Sequence, residues 1–492
     1  MISAYSVADV YAVERAAMAE LAEGELMARA VSGLAEVARL RLRERGGRRV
    51  VALVGPGNNG ADALYAVSAL AADGYLSAAV HLDGQVHDGA RRAAEKSGVV
   101  LAAGPGDGVP GASVAAMVGE ADLVLDGILG IGGRAGLPTF ARPWVEAIGP
   151  GAYVLAVDLP SGQDPAGLVL DPDGVFADET VTFSAPKPVH LLPATEPACG
   201  LLTLIDIGLD FDGVAASVRR LDRTDVARLW PIPGPRDDKY SRGVVGIIAG
   251  GENYTGAAIL ATTSASCSGA GMIRYVGTPT STSLVRAAVP EAVHGVGQVQ
   301  AWVVGPGLDV ASRASGAKAQ LDAARAAIES DLPVVLDAGG LDLLRGPRSA
   351  PTLLSPHAGE CARLLTRLTG DDVARADVEA APVAHAARLA DATGATVLLK
   401  GSTTLVIGPE ASGPAYSQND APAWLATAGA GDVLAGLLGT LVAAGLPVDV
   451  AGALGALVHG CAADAANPGG PVRALDVAHA LPGTIARLLP VT

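Results

Sequence analysis

Aromatic side chains are scarce in this 492-residue chain, at 3% of the sequence. Hydrophobic residues still make up 50%, so Val, Leu, Ile and Ala must fill the core. Cysteine is rare too. Cys199, Cys267, Cys361 and Cys461 stand far apart, with no C-x-x-C pair and no Cys/His metal spacing. A disulfide framework is thereby excluded, and a reducing, cytoplasmic setting is expected. Basic charge is in deficit: 35 Lys+Arg against 51 Asp+Glu leave a net charge of −16. That argues against a broad footprint on nucleic acid, while leaving room for a small anion in a local pocket. The N-terminus has Glu14, Glu20 and Glu23 among its alanines and no basic-then-apolar leader pattern. The longest apolar helix-like runs, 433–446 and 450–463, fall short of the ~20 residues a bilayer requires. They are expected to be buried helices, with no membrane partner.

Glycine is plentiful, at 63 residues, which suits many tight strand-to-helix turns. At roughly 100–200 residues per domain the length allows two to four domains. Strand-like runs occupy 49–54, 76–82, 98–102, 122–128, 153–158, 179–183 and 201–207. They are mostly continuous apolar runs, as in a parallel sheet covered on both faces. The proline-punctuated, charged stretch WPIPGPRDDKYSRG (230–243) interrupts the pattern. A second alternation follows, with strands at 243–250, 272–277, 301–305, 333–338, 352–356, 396–401 and 403–408. Helices fit at 256–270, 313–330, 358–368, 382–393, 432–445, 449–466 and 476–489. The expectation is an α/β chain with two tandem doubly wound domains, 1–225 and 243–492, joined by a linker at 226–242.

In such sheets ligands bind beyond the carboxyl ends of the strands. After the first strand comes GPGNNGAD (55–62), whose glycines match G-x-G-x-x-G. Asp83, after the second strand, stands where a dinucleotide-binding site would place a ribose-binding acid. Such a motif alone is weak, and Asn58 and Asn59 could simply cap the helix. Yet Asp126 with GILGIGGRAG (127–136), Asp158 with LPSG, Ser161 and Lys187 all fall at strand ends. Together they form an oxygen-rich rim that a redox fingerprint does not require.

GPGNNGAD, LDGILGIGG, AVDLPSG and TVTFSAPKP, in this order and spacing, resemble the NAD(P)H-hydrate epimerase domain, a Rossmann-like three-layer sandwich. The resemblance implies binding of NAD(P)HX, a dihydronicotinamide nucleotide hydrated at ring carbon 6. It implies that Asn58, Asn59, Gly60, Ala61 and Asp62 contact the hydrate, along with Gly130, Ile131, Gly132, Gly133, Arg134, Ala135 and Gly136. Asn59, Asp126 and Ser161 would hold potassium (K+), and Asp158 would bind substrate and act as the acid/base residue. The family's N-N-G-G-D-G reads NNGADA here. A methyl at Ala61 or Ala63 hinders binding if the family's glycines serve a special backbone angle or a close approach.

TAGAGDVLAGLLG (427–439) sets Gly429 and Gly431 before Asp432 and a long apolar helix. Free amides at a helix start receive phosphate, and Asp432 is placed to take a proton from an attacking hydroxyl. The plainer alternative is a glycine turn with Asp in the first helical turn. Lys400, in the turn of LLKGSTTLVIG (398–408), can meet phosphate, while His357 in LLSPHAGE (353–360) could equally be a cap.

With NYTGAAIL, VVGPGLD and VVLDAGGLDLL, these segments over about 240–466 look like the ADP-dependent NAD(P)H-hydrate dehydratases, a ribokinase-like family. The resemblance implies that Ala257, Gly307, His357 and Asp432 contact the hydrate. Lys400, Gly401, Ser402, Thr403, Thr404 and Gly431 would hold the nucleotide, with Mg2+ on its phosphates. The expected partners are NAD(P)HX, ADP and a second copy of the chain as a homo-oligomer. The alternative is a ribokinase-like kinase of a small vitamin precursor, with a nucleotide-binding first domain.

Overall fold

A computed structural model describes residues 1–82, 86–103, 111–409 and 413–490. Asp83 lies outside the described residues. The chain divides into two compact units, Ser3–Val218 and Arg219–Thr492, the latter including Met1–Ile2.

The first unit contains seven parallel strands. Across the sheet they run Val100–Ala103, Leu76–His81, Arg49–Val54, Leu123–Gly127, Tyr153–Val157, Glu179–Phe183 and Leu201–Ile205. The first strand in sequence therefore lies between the second and the fourth. Winding reverses there, and the loops after Val54 and Gly127 border a crevice. The strand Arg49–Val54 shows why its apolar run is unbroken. Val50, Ala52 and Val54 enter one core with the helices Glu25–Arg45 and Asn58–Ala72. Val51 and Leu53 enter another, with Val118 and Trp144, on the opposite face. A sheet covered on both sides needs apolar residues at every position.

The second unit repeats the connection order. Ala292–His294, Met272–Val276, Val244–Ile248, Ala301–Val304, Val334–Leu336, Thr352–Leu354 and Thr396–Leu399 lie side by side and parallel. Thr404–Ile407 and Ala415–Gln418 extend the sheet antiparallel. Helices Thr255–Cys267, Ala430–Ala443, Val448–Ala466 and Ala474–Leu488 share the core that takes Val245 and Ile247. Val448–Ala466 is 19 residues long and apolar enough to cross a membrane by length and composition, but 72% of its apolar window is buried inside this unit.

The division falls earlier than the proline-rich stretch suggests. Arg220 Nε and Nη2 donate to Ser417 O and Oγ at 2.9 and 2.8 Å, and Leu221 N donates to Gln418 Oε1 at 2.7 Å. Helix Arg223–Leu229 follows, and Leu221, Val226 and Trp230 enter the second core. Residues 219–230, assigned from sequence to the first domain and the linker, therefore pack with the second unit. The helix Pro279–Ala288 and the strands Ala292–His294 and Ala415–Gln418 were also missed. After Pro279 the helix continues with Thr and Ser, which favour it weakly, and the strands are only three and four residues long.

Candidate active sites

The first unit gathers its polar groups at the winding reversal. Helix Asn58–Ala72 starts after Gly57 with no side-chain cap. A Cβ on Gly60 would lie 2.1 Å from Gly55 O, so only glycine lets the helix start approach the strand this closely. Asn58 is exposed and, with Gly57, lines a cavity of about 600 Å³ shared with Val86, His87, Asp88 and Arg91. Ala61 and Ala63 sit in the helix at 2% and 0% exposure, and both join the core behind it. Neither has a positive φ. Ala63 packs onto Gly127, whose own Cβ would lie 2.5 Å from Ala63 Cβ. The two methyls face inward, away from the rim.

Asp126 ends its strand fully buried. Its Oδ1 accepts from Ser161 Oγ (2.6 Å) and Ile128 N (3.3 Å), and its Oδ2 from Ser161 N (2.8 Å). Burial pushes this carboxyl up to about 6, against the opposing hydrogen bonds from Ser161 and Ile128. Asn59 Nδ2 donates to Leu129 O at 2.9 Å, and Leu129 N donates to Ser161 Oγ at 2.9 Å. Asn59, Asp126 and Ser161 thus meet around one loop. Among the described residues no Lys or Arg forms an ion pair with Asp126.

Asp158 stands at the end of the next strand with φ +67°. Its Oδ1 accepts from Lys187 Nζ at 2.6 Å and Thr182 Oγ1 at 3.0 Å. Burial alone would raise its carboxyl. The Lys187 ammonium and these hydrogen bonds outweigh burial and hold it below the usual range. His190 Nδ1 accepts from Lys187 N (2.9 Å), so Nε2 carries the proton and donates to Asp158 O at 2.8 Å. Burial, reinforced by Lys187, lowers His190 to about 4, which keeps it neutral.

Of the 130–136 loop, Ile131 packs on Val10, Leu159 and Val189. Gly133 N donates to Gly130 O at 2.8 Å, and Gly136 N to Gly162 O at 2.9 Å. Arg134 and Ala135 are exposed. Gly132 lies against Tyr11, whose Oη is 2.8 Å from where a Cβ would stand. The leading helix Val7–Glu20 thereby brings Tyr11 and Glu14 to this rim, where both feel the Asp158 charge. Their sequence carried no motif, so only the fold reveals them.

In the second unit Gly250 N donates to Pro306 O at 2.7 Å, joining the loops after the first and fourth strands. Gly307 has φ +61° and packs onto Ala257, whose Cβ would lie 2.6 Å from an added Cβ, so these two expected contacts adjoin. Helix Ala430–Ala443 begins after Gly429 (φ +90°) with no side-chain cap, and Asp432 lies in its first turn. Lys400 Nζ lies 2.6 Å from Asp337 Oδ1 and 3.8 Å from Glu360 Oε2. A Cβ on Gly431 would stand 3.5 Å from Lys400 Nζ and 3.9 Å from Asp337 Oδ2. Burial first, then Asp337, push the Asp432 carboxyl up to about 7, with Lys400 opposing. Burial would lower Lys400, but Asp337 and Glu360 raise it.

Gly401, Ser402 and Thr403 form the turn before Thr404–Ile407, with Thr403 buried. His357 caps helix Ala358–Thr369: Nδ1 accepts from Gly359 N (3.0 Å) and Glu360 N (3.3 Å), and its ring is exposed. Asp337 was missed in the sequence, although it ends the strand in VVLDAGG as Asp126 and Asp158 end theirs.

Each unit is thus a doubly wound α/β fold with a Lys–Asp ion pair at its strand ends, buried in the first unit and partly exposed at Lys400 in the second, the class of a nucleotide-handling enzyme. The NAD(P)H-hydrate dehydratase family matches residues 245–482, and the family described as YjeF-related protein N-terminus matches 23–189. The bifunctional NAD(P)H-hydrate repair enzyme of Mycobacterium leprae is 42% identical over 485 residues, covering 94% of each chain. That of Mycobacterium tuberculosis is 43% identical over 461 residues, covering 90% of this chain and 89% of its own. The NAD(P)H-hydrate epimerase of Clavibacter sepedonicus is 40% identical over 224 residues, 44% of this chain and 94% of its own. An ADP/ATP-dependent NAD(P)H-hydrate dehydratase structure from Bacillus subtilis aligns at 25% identity and a TM-score of 0.48, over 56% of this chain and 100% of that one. The chain belongs to the family of bifunctional NAD(P)H-hydrate repair enzymes.

Proposed function

We propose that the chain repairs hydrated NADH and NADPH. The first unit interconverts the R and S hydrates, and the second dehydrates the S form with ADP, giving NAD(P)H, AMP and phosphate. The observation that carries this reading is the span of the resemblance to bifunctional repair enzymes, 94% of the chain, over two separately built sites.

In the second unit, hydroxide on ring carbon 6 is a poor leaving group and must be made a better one. Asp432 sits at an uncapped helix start, where free amides receive a phosphoryl group. Its carboxylate takes the proton of the ring hydroxyl as that oxygen attacks the terminal phosphorus of ADP. Lys400, fixed by Asp337, neutralises charge gathering on the phosphoryl oxygens. The ring nitrogen lone pair then expels phosphate, and the resulting cation loses a proton from ring carbon 5 to solvent, which forms the carbon 5–carbon 6 double bond of NAD(P)H. Ala257, Gly307 and His357 contact the hydrate, and Gly401–Thr404 with Gly431 hold the nucleotide. Mg2+ would accompany the nucleotide phosphates. Among the described residues no group of three or more His, Cys, Asp or Glu forms a metal cage of its own.

In the first unit, Asp158 is the proton-transfer group, with residues 58–62 and 130–136 around the hydrate. Asp126 fits a potassium ion: it is a fully buried carboxylate beside the Ser161 hydroxyl, the Leu129 carbonyl and the Asn59 amide. Such a cation would supply the positive partner that no Lys or Arg among the described residues gives this carboxylate, and would fix the loop beside it. Four free cysteines accord with a cytoplasmic setting.

The test uses the purified full chain and S-NADHX, with and without ADP, following the near-ultraviolet absorbance of NADH. ADP-dependent return of NADH with release of phosphate is expected. A stable phosphorylated product without NADH would indicate a plain kinase and overturn the reading. R-NADHX alone then tests the first unit, with Asp158→Asn expected to abolish its conversion.

A further inference from the structure

Inverting carbon 6 poses a problem for a single carboxylate. The old hydroxyl leaves one face of the ring as water, and a new water arrives on the other. Departure needs a proton donor and arrival needs a proton acceptor. Asp158 suits only the second task, because Lys187 and Thr182 hold it ionised.

Asp62 has the opposite environment at the same rim. It lies in the first turns of helix Asn58–Ala72, whose opening residues border the hydrate in the reading above. Its Oδ1 is buried and has no hydrogen-bond partner. The charged groups that act on it are carboxylates, Asp158 and Glu14. Glu14 comes from the helix Val7–Glu20, which also presents Tyr11, while Lys187 and His190 are engaged with Asp158. Burial first, then Asp158 and Glu14, push the Asp62 carboxyl up to about 8. Near neutral pH one rim therefore holds an ionised and a protonated carboxyl. Divergent environments of this kind mark an acid and a base.

We propose that Asp62 is a second catalytic residue of the epimerase site, donating the proton to the departing hydroxyl while Asp158 accepts one from the arriving water. The inference rests on the epimerase reading above. The carbon 6–oxygen bond breaks with its electrons on oxygen, the Asp62 proton completes a water, and the ring nitrogen lone pair forms a nitrogen–carbon double bond. A second water bonds to carbon 6 from the opposite face and gives a proton to Asp158, and the double-bond pair returns to nitrogen. One water leaves and one enters. One proton passes from Asp62 to Asp158, and exchange with solvent resets both. The reverse conversion runs the same transfers backward, from the less populated state in which Asp158 carries the proton and Asp62 is ionised.

The experiment follows R-to-S conversion by the full chain without ADP, in water enriched in oxygen-18, across a pH series. Wild type is expected to take up solvent oxygen and to lose rate as pH rises through about 8. Asp62→Asn should slow conversion by about a hundredfold or more and abolish the alkaline fall. Asp62→Glu, which retains a proton, should recover part of the rate with the alkaline fall displaced. Wild-type rate in Asp62→Asn, an alkaline fall unchanged in both variants, or retention of the original oxygen each overturns the donor role. If circular dichroism finds Asp62→Asn unfolded, the displacement in Asp62→Glu decides. Failure of wild type to convert R-NADHX is a different result, which removes the epimerase reading itself.

Discussion

Lys400 Nζ and Asp337 Oδ1 lie 2.6 Å apart beside Gly431, the Asp337 side chain almost wholly buried and the Lys400 side chain 22% exposed. The pair is expected to be structural and functional at once. Asp337→Ala leaves a mostly buried lysine without its nearest carboxylate. The cost should fall toward the low end of roughly 3–5 kcal/mol, because Lys400 keeps some access to water. Urea unfolding of the second unit measures it, and ADP-dependent dehydration should fall in parallel.

Dehydration should also depend on pH through Asp432. Its carboxyl, pushed up to about 7, must be ionised to act as a base. The rate is expected to rise as pH passes through about 7 and then level off, with the limb lost in Asp432→Asn. Stability moves the other way. The folded state holds this proton more tightly than the unfolded one, so the second unit loses stability as pH rises from the ordinary Asp range to about 7. Denaturation at several pH values checks the sign.

Lys187 keeps Asp158 ionised, so Lys187→Met should let burial dominate and raise that carboxyl. Conversion of R-NADHX is expected to drop at neutral pH, with the acidic limb of its pH profile displaced upward. Lys187→Arg, which keeps the charge, should lie between this variant and wild type. An unshifted pH profile in Lys187→Met would contradict the pairing's role.

Restoring the family's glycines should not help the epimerase. Ala61 and Ala63 face the core, so Ala61→Gly and Ala63→Gly remove helix-favouring methyls and each cost about 1 kcal/mol. The thermal midpoint of the first unit should fall while the rate at permissive temperature stays level.

Much of this was legible in the sequence because both sheets are covered on two faces. Their strands had to be unbroken apolar runs, and the residues just beyond Leu125, Val157 and Leu399 fell at the carboxyl rim. The site glycines announced themselves for the same steric reason. What stayed hidden depends on contacts distant in the chain. Arg220 and Ser417 are 197 residues apart, and their pairing moves the unit boundary. Tyr11 and Glu14 sit on an ordinary Ala/Glu-rich helix, and nothing local shows that it covers a site. Asp337 could have been found by reading every strand end in the second unit as in the first.

The backbone of Asp158, at φ +67°, restricts what position 158 can be. Left-handed geometry is tolerated by Asp and Asn far better than by most other non-glycine residues. Alanine there would remove the carboxyl and strain the turn together, so its effect could not be ascribed to lost chemistry. Asparagine removes the titrating oxygen and leaves the backbone at ease. It separates the loss of the carboxylate, and of its pairing with Lys187, from strain in the turn.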